Sequence, residues 1–305
     1  MGFAFRQSPL PPEGLLLGDA LKLLPELPSE SVDLVLTDPP YFLSGLDDAW
    51  DSRAVVRRTR RQAVGHLPPG MRFDPEAGRR LQAWYGMVSQ ELFRILKPGG
   101  FFFSFASPRL VHRMALAVEE AGFWLPDTFL WVYPEGRAKG ASLERFAPEG
   151  ERGRLSGWKT PQVRGNYEPI LVAQKPPRGT LVRNFLQHGV GLFDFRVRLE
   201  GGRAPSNVLA TEEVEGLPRT FLVPKPRKGE KGAYNPHPTV KPLALLRHLV
   251  RLACPEGGVV LDPFLGSGST AVAAAIEGRR YLGIEKNPEY LEVARRRIDE
   301  ALGRG

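Results

Sequence analysis

The stretch Val32-Asp33-Leu34-Val35-Leu36-Thr37-Asp38-Pro39-Pro40-Tyr41 decides how the rest of the chain is read. Its first half is β-branched and aliphatic, the pattern of a strand buried on both faces of a parallel sheet. It then runs into an acid, two prolines and an aromatic. Consecutive prolines remove two backbone donors and fix φ twice, so the carbonyls around Asp38 and Pro39 keep few chain partners and a set direction. Such a corner offers acceptors, a carboxylate and a ring at the carboxyl end of a strand, which is where open α/β sheets bind ligands.

Working outward, Leu15 to Leu17 reads as a short strand before Gly18-Asp19, and Ala20 to Leu24 as a helical turn or more stopped by Pro25. After the motif, Phe42 to Gly78 is polar, basic and without periodicity, with Arg53, Arg57, Arg58, Arg60 and Arg61. A loop of that length beside a site reads as a lid or contact loop. Apolar residues at helical spacing from Arg79 to Leu96, stopped by Lys97-Pro98-Gly99-Gly100, predict a helix with one core face. Phe101 to Phe105 is then a strand, Ser107-Pro108 opens a helix to Gly122, and Phe129 to Tyr133 is another strand. The alternation predicts a mostly parallel sheet.

Gly- and Arg-rich sequence from Glu135 to Gly165 breaks that rhythm, and Glu168 to Ala173 resumes it as a strand. Residues 178–232 have poor periodicity and a basic cluster at Lys225, Arg227, Lys228 and Lys231, and are expected to form an insert on the sheet's edge rather than more sheet. Helices are predicted over Pro242 to Cys254, Ser269 to Glu277 and Pro288 to Leu302, and strands at Val259 to Leu261 and at Tyr281 to Ile284. If the strand at Val259 is the first of a doubly wound sheet and that at Tyr281 the second, the last helix leads in space to the strand at Leu15. The expected fold is then a circularly permuted α/β sheet with its termini close together.

A chain of 305 residues, 42% hydrophobic, suffices for one large α/β domain that buries roughly 75% of its unfolded surface. A net charge of +8 suits a polyanionic partner. The single cysteine, Cys254, excludes an internal disulfide and a cysteine-rich zinc site, and five scattered histidines show no metal spacing, so no metal is expected. There is no run of eighteen or so apolar residues and no signal-like amino terminus, so a soluble cytoplasmic protein with no membrane partner is expected.

Downstream, the strand at Val259 runs into Asp262-Pro263-Phe264-Leu265-Gly266-Ser267-Gly268-Ser269-Thr270 and then a helix, a tight turn where backbone comes close to a ligand and only glycine fits. Glu285, at the end of the next strand about twenty residues on, can accept two ribose hydroxyls. There is no third glycine at dinucleotide spacing and no Gly-Lys-Ser/Thr, so a nucleoside without phosphates fits better than a nucleotide.

Asp38-Pro39-Pro40-Tyr41 after a buried strand, followed far downstream by the Asp262 to Thr270 motif, resembles the β class of amino-group DNA methyltransferases that use S-adenosylmethionine. The resemblance covers Gly18 to about Ala301. It implies a Rossmann-like methyltransferase sheet with a target-base half at 1–177, a target-recognition insert at 178–232 and a cofactor-binding half at 233–305. It further implies that Asp262, Phe264, Gly266 and Gly268, with Ser267 and Thr270 in the same loop, hold the methionine part of S-adenosylmethionine, that Glu285 binds the ribose, and that Asp19 accepts from the adenine amino group. His237-Pro238-Thr239-Val240-Lys241-Pro242 matches a segment that lines the cofactor pocket, placing Thr239 and Lys241 there. Asp38, Pro39, Pro40 and Tyr41 are the implied catalytic residues. Double-stranded DNA is the implied partner, contacted by Arg57, Arg58, Arg60 and Arg61 and by Lys225, Arg227 and Lys228; a homodimer and a cognate restriction endonuclease are the further partners such enzymes suggest.

The chemistry fits those residues. An exocyclic base amine is a poor nucleophile because its lone pair is delocalised into the ring. The Asp38 carboxylate and the Pro39 carbonyl can each accept one N–H, localising that pair and stabilising the positive charge that develops. C5-cytosine chemistry needs a thiolate, and Cys254 lies in a helix-to-strand turn. RNA and protein-glutamine methyltransferases with related motifs place the cofactor motif first, the reverse of this chain, and a non-catalytic DNA-binding module would not need an intact Asp38 to Tyr41. The family's N4-cytosine enzymes more often carry serine at the position of Asp38, which favours N6-adenine while leaving N4-cytosine open.

Replacing Arg57, Arg58, Arg60 and Arg61 with alanine is expected to weaken DNA binding and flatten its dependence on salt concentration; an unchanged slope in a binding titration would make this segment a solvated loop.

Overall fold

The computed structural model describes residues 14–41, 75–134, 140–161, 163–213, 222 and 240–304. The expected DNA contacts Arg57, Arg58, Arg60, Arg61, Lys225, Arg227 and Lys228, with Lys231, His237 and Thr239, lie outside the described residues.

Among the described residues, runs of aliphatic and aromatic residues make eight strands of one sheet: β1 (Gly14–Leu17), β2 (Val32–Thr37), β3 (Leu96–Phe105), β4 (Trp124–Val132), β5 (Tyr167–Gln174), β6 (Val208–Ala210), β7 (Val259–Asp262) and β8 (Arg280–Glu285). Their order across the sheet is β1-β8-β7-β2-β3-β5-β4-β6. Only β5 runs against its neighbours, pairing antiparallel with β3 and β4, while the other pairs are parallel. The carboxy-terminal strand β8 lies beside the amino-terminal β1, with Leu16 opposite Ile284 and Leu17 opposite Glu285, the adjacency on which the permuted reading rests.

Helices cover both faces. α1 (Ala20–Leu23), α2 (Pro75–Ile95) and α3 (Val111–Glu120) pack on one face with Val35, Phe102 and Leu261. A short α4 (Leu181–His188) lies near β3, and α5 (Leu243–Ala253), α6 (Ser269–Ile276) and α7 (Pro288–Ala301) belong to the other face with Leu34, Leu36, Phe101, Phe103 and Phe105. The aromatic run of β3 is thus split residue by residue between two cores, as the period-2 alternation of a strand requires. From β7 the chain winds through α6 to β8 on one side; from β2 it winds through α2 to β3 on the other. β7 and β2 are neighbours, so their carboxyl ends form the switch point at which such sheets bind ligands.

Two expectations are corrected. The Lys97 to Gly100 stretch does stop α2, but β3 already begins at Leu96, which pairs with Val32; the irregular register before Leu34 opposite Phe101 absorbs the Pro-Gly-Gly as a bulge in which Gly99 takes φ +80°. The segment after Arg178 is not wholly outside the sheet, because β6 pairs in parallel with β4 through Leu130, Trp131 and Val132. Its three residues are too short to show a period in sequence, and their strand character comes from that edge.

A buried acid sets the start of the β2–β7 contact. Asp33, 2% exposed on β2, accepts from Lys97 Nζ at 2.6 Å and from the backbone N–H of Val259 at 2.8 Å, so it fixes where β7 begins beside β2. Asp33→Ala leaves that N–H and the Lys97 ammonium without their partner and is expected to cost about 2 to 3 kcal/mol. A urea midpoint shifted by less than a quarter of that, at unchanged slope, would show that the strand is placed without it.

Candidate active site

β2 delivers Asp38-Pro39-Pro40-Tyr41 to the switch point. Thr37, the last residue of the strand, donates from Oγ1 to Asp262 Oδ1 at 2.6 Å, a buried bond across 225 residues of sequence that ties the target motif to the loop after β7. Beyond it, Asp38 is held at both oxygens. Tyr41 OH donates to Oδ1 at 2.6 Å, and the Lys241 ammonium pairs with Oδ2. Lys241 stands just before α5 and also faces Glu168 Oε2, at the start of β5, at 3.3 Å, with its Nζ 5.0 Å from the Phe105 ring centroid. Burial alone would lower the Lys241 ammonium, but the Asp38 and Glu168 carboxylates outweigh it and raise it above the ordinary lysine value. Burial and the adjacent Asp38 charge push the Tyr41 hydroxyl well above the usual phenol range, so it is a donor at every working pH.

The second half of the site is built from the ends of β7 and β8. Asp262 is 4% exposed; burial raises its carboxyl to about 6, against the opposing pull of bonds from Thr37, Thr270 and the Phe264 N–H. Glu285 accepts from the Gly266 N–H at 2.8 Å with one oxygen and from the Asn287 N–H at 2.8 Å with the other, and burial raises its carboxyl despite those bonds. Between them the loop turns at Gly266 (φ +54°) and Gly268 (φ +83°); a Cβ on Gly268 would lie 2.7 Å from that of Ala294 on α7, so only glycine lets that helix close on the loop. Arg297, on α7 and 5% exposed, supports the loop by donating to the Ser267 carbonyl at 2.7 Å and to the Ser267 and Ser269 hydroxyls at 3.0 Å. Phe264 packs on Trp84 of α2 with ring centroids 5.3 Å apart. Asp19, across the β1 to β8 pairing, caps α1 through Leu21 N and lies 3.4 Å from Lys286 Nζ. Two carboxylates at adjacent strand ends, a third near them and glycine backbone between form an acceptor-rich cradle, which suits a sugar diol and an ammonium and repels phosphate. S-adenosylmethionine carries both of the favoured groups, so the residues fit it.

The structure therefore brings together Asp38, Pro39, Pro40 and Tyr41 on one side and Asp262, Phe264, Gly266, Gly268 and Glu285 on the other, as the sequence implies. Three of the expected cofactor contacts are bonded within the protein. Lys241, expected to line the cofactor pocket, has its ammonium on the target side, on Asp38 and Glu168. The Ser267 hydroxyl faces Arg297 inside the protein, and the Thr270 hydroxyl is bonded to Asp262, so both shape the loop from behind. Sequence reasoning missed Thr37, Trp84, Glu168 and Arg297. Glu168 carries a weak signal, an acid before a proline at a strand's start; Trp84 reads as one more core residue of its helix, and nothing in the sequence marks Arg297. Burial pushes the Cys254 thiol up to about 12, with the Asp33 charge adding to it, so no thiolate is on hand for C5 chemistry.

Sheet order, switch-point site and acceptor cradle define a Rossmann-like enzyme that uses a nucleoside cofactor. The sequence profile of the N6/N4 DNA methylases matches residues 32–296, and the chain belongs to this DNA methylase family. It is similar to the type II methyltransferase M.HindIII of Haemophilus influenzae, 29% identical over 92% of this chain and 93% of that protein, and to the DNA adenine methyltransferase YhdJ of Escherichia coli, 27% identical over 94% and 83%. Among solved structures the fold resembles the cytosine-N4-specific PvuII DNA methyltransferase, with a TM-score of 0.60, 19% identity and coverage of 95% and 91%. It also resembles the M1.HpyAVI–SAM complex, with a TM-score of 0.52, 20% identity and coverage of 93% and 98%. The protein is an S-adenosylmethionine-dependent DNA amino-methyltransferase. No helix among the described residues is long and apolar enough to cross a membrane.

Because the folded carboxyl of Asp262 lies at about 6 against an ordinary 3.8, the stability it contributes is fully present below about pH 4 and is lost as pH rises through about 6. A two-unit shift corresponds to roughly 3 kcal/mol at most. Asp262→Asn, which can keep the bonds to Thr37 and Phe264, is expected to lack this loss and to be more stable than wild type at pH 7.5 but not at pH 4. Urea midpoints of both proteins across that range check it, and parallel curves would contradict it.

Proposed function

We propose that the enzyme methylates the exocyclic N6 amine of adenine in a base turned out of double-stranded DNA. The observation that carries this reading is the Thr37 to Asp262 bond, which holds the amine-accepting corner and the cofactor loop at one fixed spacing. Asp38 and the Pro39 carbonyl each accept one N–H of the amine, so the nitrogen lone pair leaves the ring plane and points across the switch point. Pro40 fixes the turn, and the Tyr41 ring stacks on the base, a contact worth about 1 to 3 kcal/mol. Asp262, Phe264, Gly266 and Gly268 hold the amino-acid end of S-adenosylmethionine, Glu285 its ribose and Asp19 its adenine, with Ser267 and Thr270 keeping the loop in shape. When bound there, S-adenosylmethionine supplies an electrophilic methyl group. The protein's part is to hold the amine in line and to place negative charge where the nitrogen becomes positive, an arrangement whose proximity term is worth at most roughly 7 to 11 kcal/mol.

Turning the base out costs a few kcal/mol, which contacts to the DNA backbone must offset. Arg57, Arg58, Arg60 and Arg61 beside the target motif and Lys225, Arg227 and Lys228 in the 178–232 insert take that role, and the insert reads base edges. The aspartate of the Asp38 motif and the similarity to YhdJ support adenine; the likeness to the PvuII enzyme supports cytosine N4 with the same amine chemistry. A cytoplasmic enzyme acting beside a cognate restriction endonuclease accords with the type II name of M.HindIII, and a homodimer accords with the resemblance to the β class.

Incubation with S-adenosylmethionine and mixed-sequence duplex DNA, then nucleoside digestion and mass spectrometry, is expected to yield N6-methyladenine. N4-methylcytosine in its place would change the base and keep the mechanism. Asp38→Ala is expected to abolish transfer while S-adenosylmethionine affinity stays within a few fold, and full activity in that variant would overturn the site.

A further inference from the structure

Two features of the target corner are not required by the amine chemistry: a buried lysine and a second acid. Lys241 is 9% exposed, is paired with Asp38 Oδ2, lies 3.3 Å from Glu168 Oε2 and sits over the Phe105 ring. Among the described residues no hydrogen bond of good geometry reaches Glu168 Oε2, and its partner there is the Lys241 ammonium at 3.3 Å. One ammonium between two carboxylates leaves a local net charge of −1. Lys241 is the buried member, and keeping its ammonium there carries a desolvation cost that the two partly exposed carboxylates must offset. A net negative charge is of use at this place in one circumstance, when positive charge develops on a nitrogen beside Asp38.

The two oxygens of Asp38 are also unequal. Oδ2 takes a charge-assisted bond from Lys241, and Oδ1 takes a bond from the neutral Tyr41 hydroxyl, the weaker and more easily shared of the two. The incoming amine therefore meets a carboxylate whose rotamer is fixed at Oδ2 and whose open acceptor is Oδ1.

We propose that Lys241 and Glu168 are positioning residues for methyl transfer: Lys241 locks Asp38 through Oδ2 so that Oδ1 receives the amine, and Glu168 keeps the trio at a net charge of −1. This rests on the reading of Asp38 as the amine acceptor. Removing the ammonium would set the Asp38 and Glu168 carboxylates against each other, and such a pair holds on to a proton at higher pH. The other titratable groups around them are Tyr41 in the same corner, Tyr85 on α2, Tyr133 after β4 and Asp262 on β7. The three phenols are all raised by burial and lie away from the acid limb; Asp262, at about 6 and raised by burial and in part by the Asp38 charge, lies within it, so each variant is also made in an Asp262→Asn background, where a shift that persists belongs to the trio.

The test uses the full chain with S-adenosylmethionine and mixed-sequence duplex DNA, measuring single-turnover methyl transfer from pH 5 to 9 and S-adenosylmethionine affinity for wild type, Lys241→Met, Lys241→Arg, Glu168→Gln and the Lys241→Met/Glu168→Gln double variant. Lys241→Met is expected to lower the transfer rate at pH 7 by about 100-fold, to leave cofactor affinity within about threefold, and to move the acid limb of the rate profile up by about one pH unit. Lys241→Arg, which keeps the charge, should retain the wild-type limb. Glu168→Gln should lower the plateau rate without moving the limb upward, and in its background the loss of Lys241 should cost several fold less than in wild type. An unmoved limb in Lys241→Met, or losses that simply multiply in the double variant, would make the trio a structural ion pair and overturn the proposal. If Lys241→Met does not fold, the comparison of Glu168→Gln with Lys241→Arg decides: full wild-type plateaus in both overturn it, and a depressed plateau in Glu168→Gln alone supports it. Failure of the underlying reading is seen separately, as absence of any methylated amine with wild type or as activity in Asp38→Ala.

Discussion

The parallel pairing of β2 with β7 is the constraint on which the molecule depends. These strands meet over few residues, Leu34 opposite Val260 and Val35 opposite Leu261, and a side-chain bond closes each end of the contact. At the amino end Asp33 accepts from the Val259 N–H; at the carboxyl end the Thr37 hydroxyl donates to Asp262. A slip of one residue would turn every side chain of the strand to the other core and break both clamps together. The register is what these two bonds hold, and with it the spacing between the Asp38 corner and the loop after β7.

Around that contact the enzyme stores charge where charge is costly. Asp262 is held as a carboxyl that ionises only near neutrality, Lys241 as an ammonium sustained by two acids, and Glu285 as a carboxylate oriented by two backbone donors. Each is held by at least two partners, so its orientation is set in the folded protein. Asp262 and Glu285 are the last residues of β7 and β8, and the backbone donors that orient them, Phe264, Gly266 and Asn287, follow within the turns that leave those strands.

Much of this was legible in the residues. Val32 to Tyr41 and Asp262 to Thr270 announced strand, turn and ligand because proline, glycine and acid each restrict the backbone or the chemistry in a way that hydrophobic pattern alone does not. The alternation of strands and helices gave the sheet, and the return of β8 to β1 followed from its winding. What stayed hidden were contacts made across the fold. Glu168 acts on Lys241 from a strand 73 positions away; Arg297 looks like any basic residue of an amphipathic helix until α7 is laid against the Gly266 to Gly268 turn; and Lys241, read as part of a cofactor segment, reaches the other pocket because its side chain is long and enters between Asp38 and Phe105. Such residues have a function only in the tertiary structure. The three-residue β6 was unreadable for a related reason, since a strand that short owes its form to its neighbour.

The reversed direction of β5 has a consequence of another kind. Because β4 ends and β5 begins on the edge where the other strands deliver their carboxyl ends, Val132 faces Tyr167 and the Asn166 amide bonds back to Tyr133 and Pro134. The chain thus leaves the sheet and re-enters it at one closed neck on the rim of the site. Glu168 stands at the base of that neck. A change of length in the segment that joins β4 to β5 can therefore be taken up beyond the neck while the pairing of β4 with β5 keeps its register.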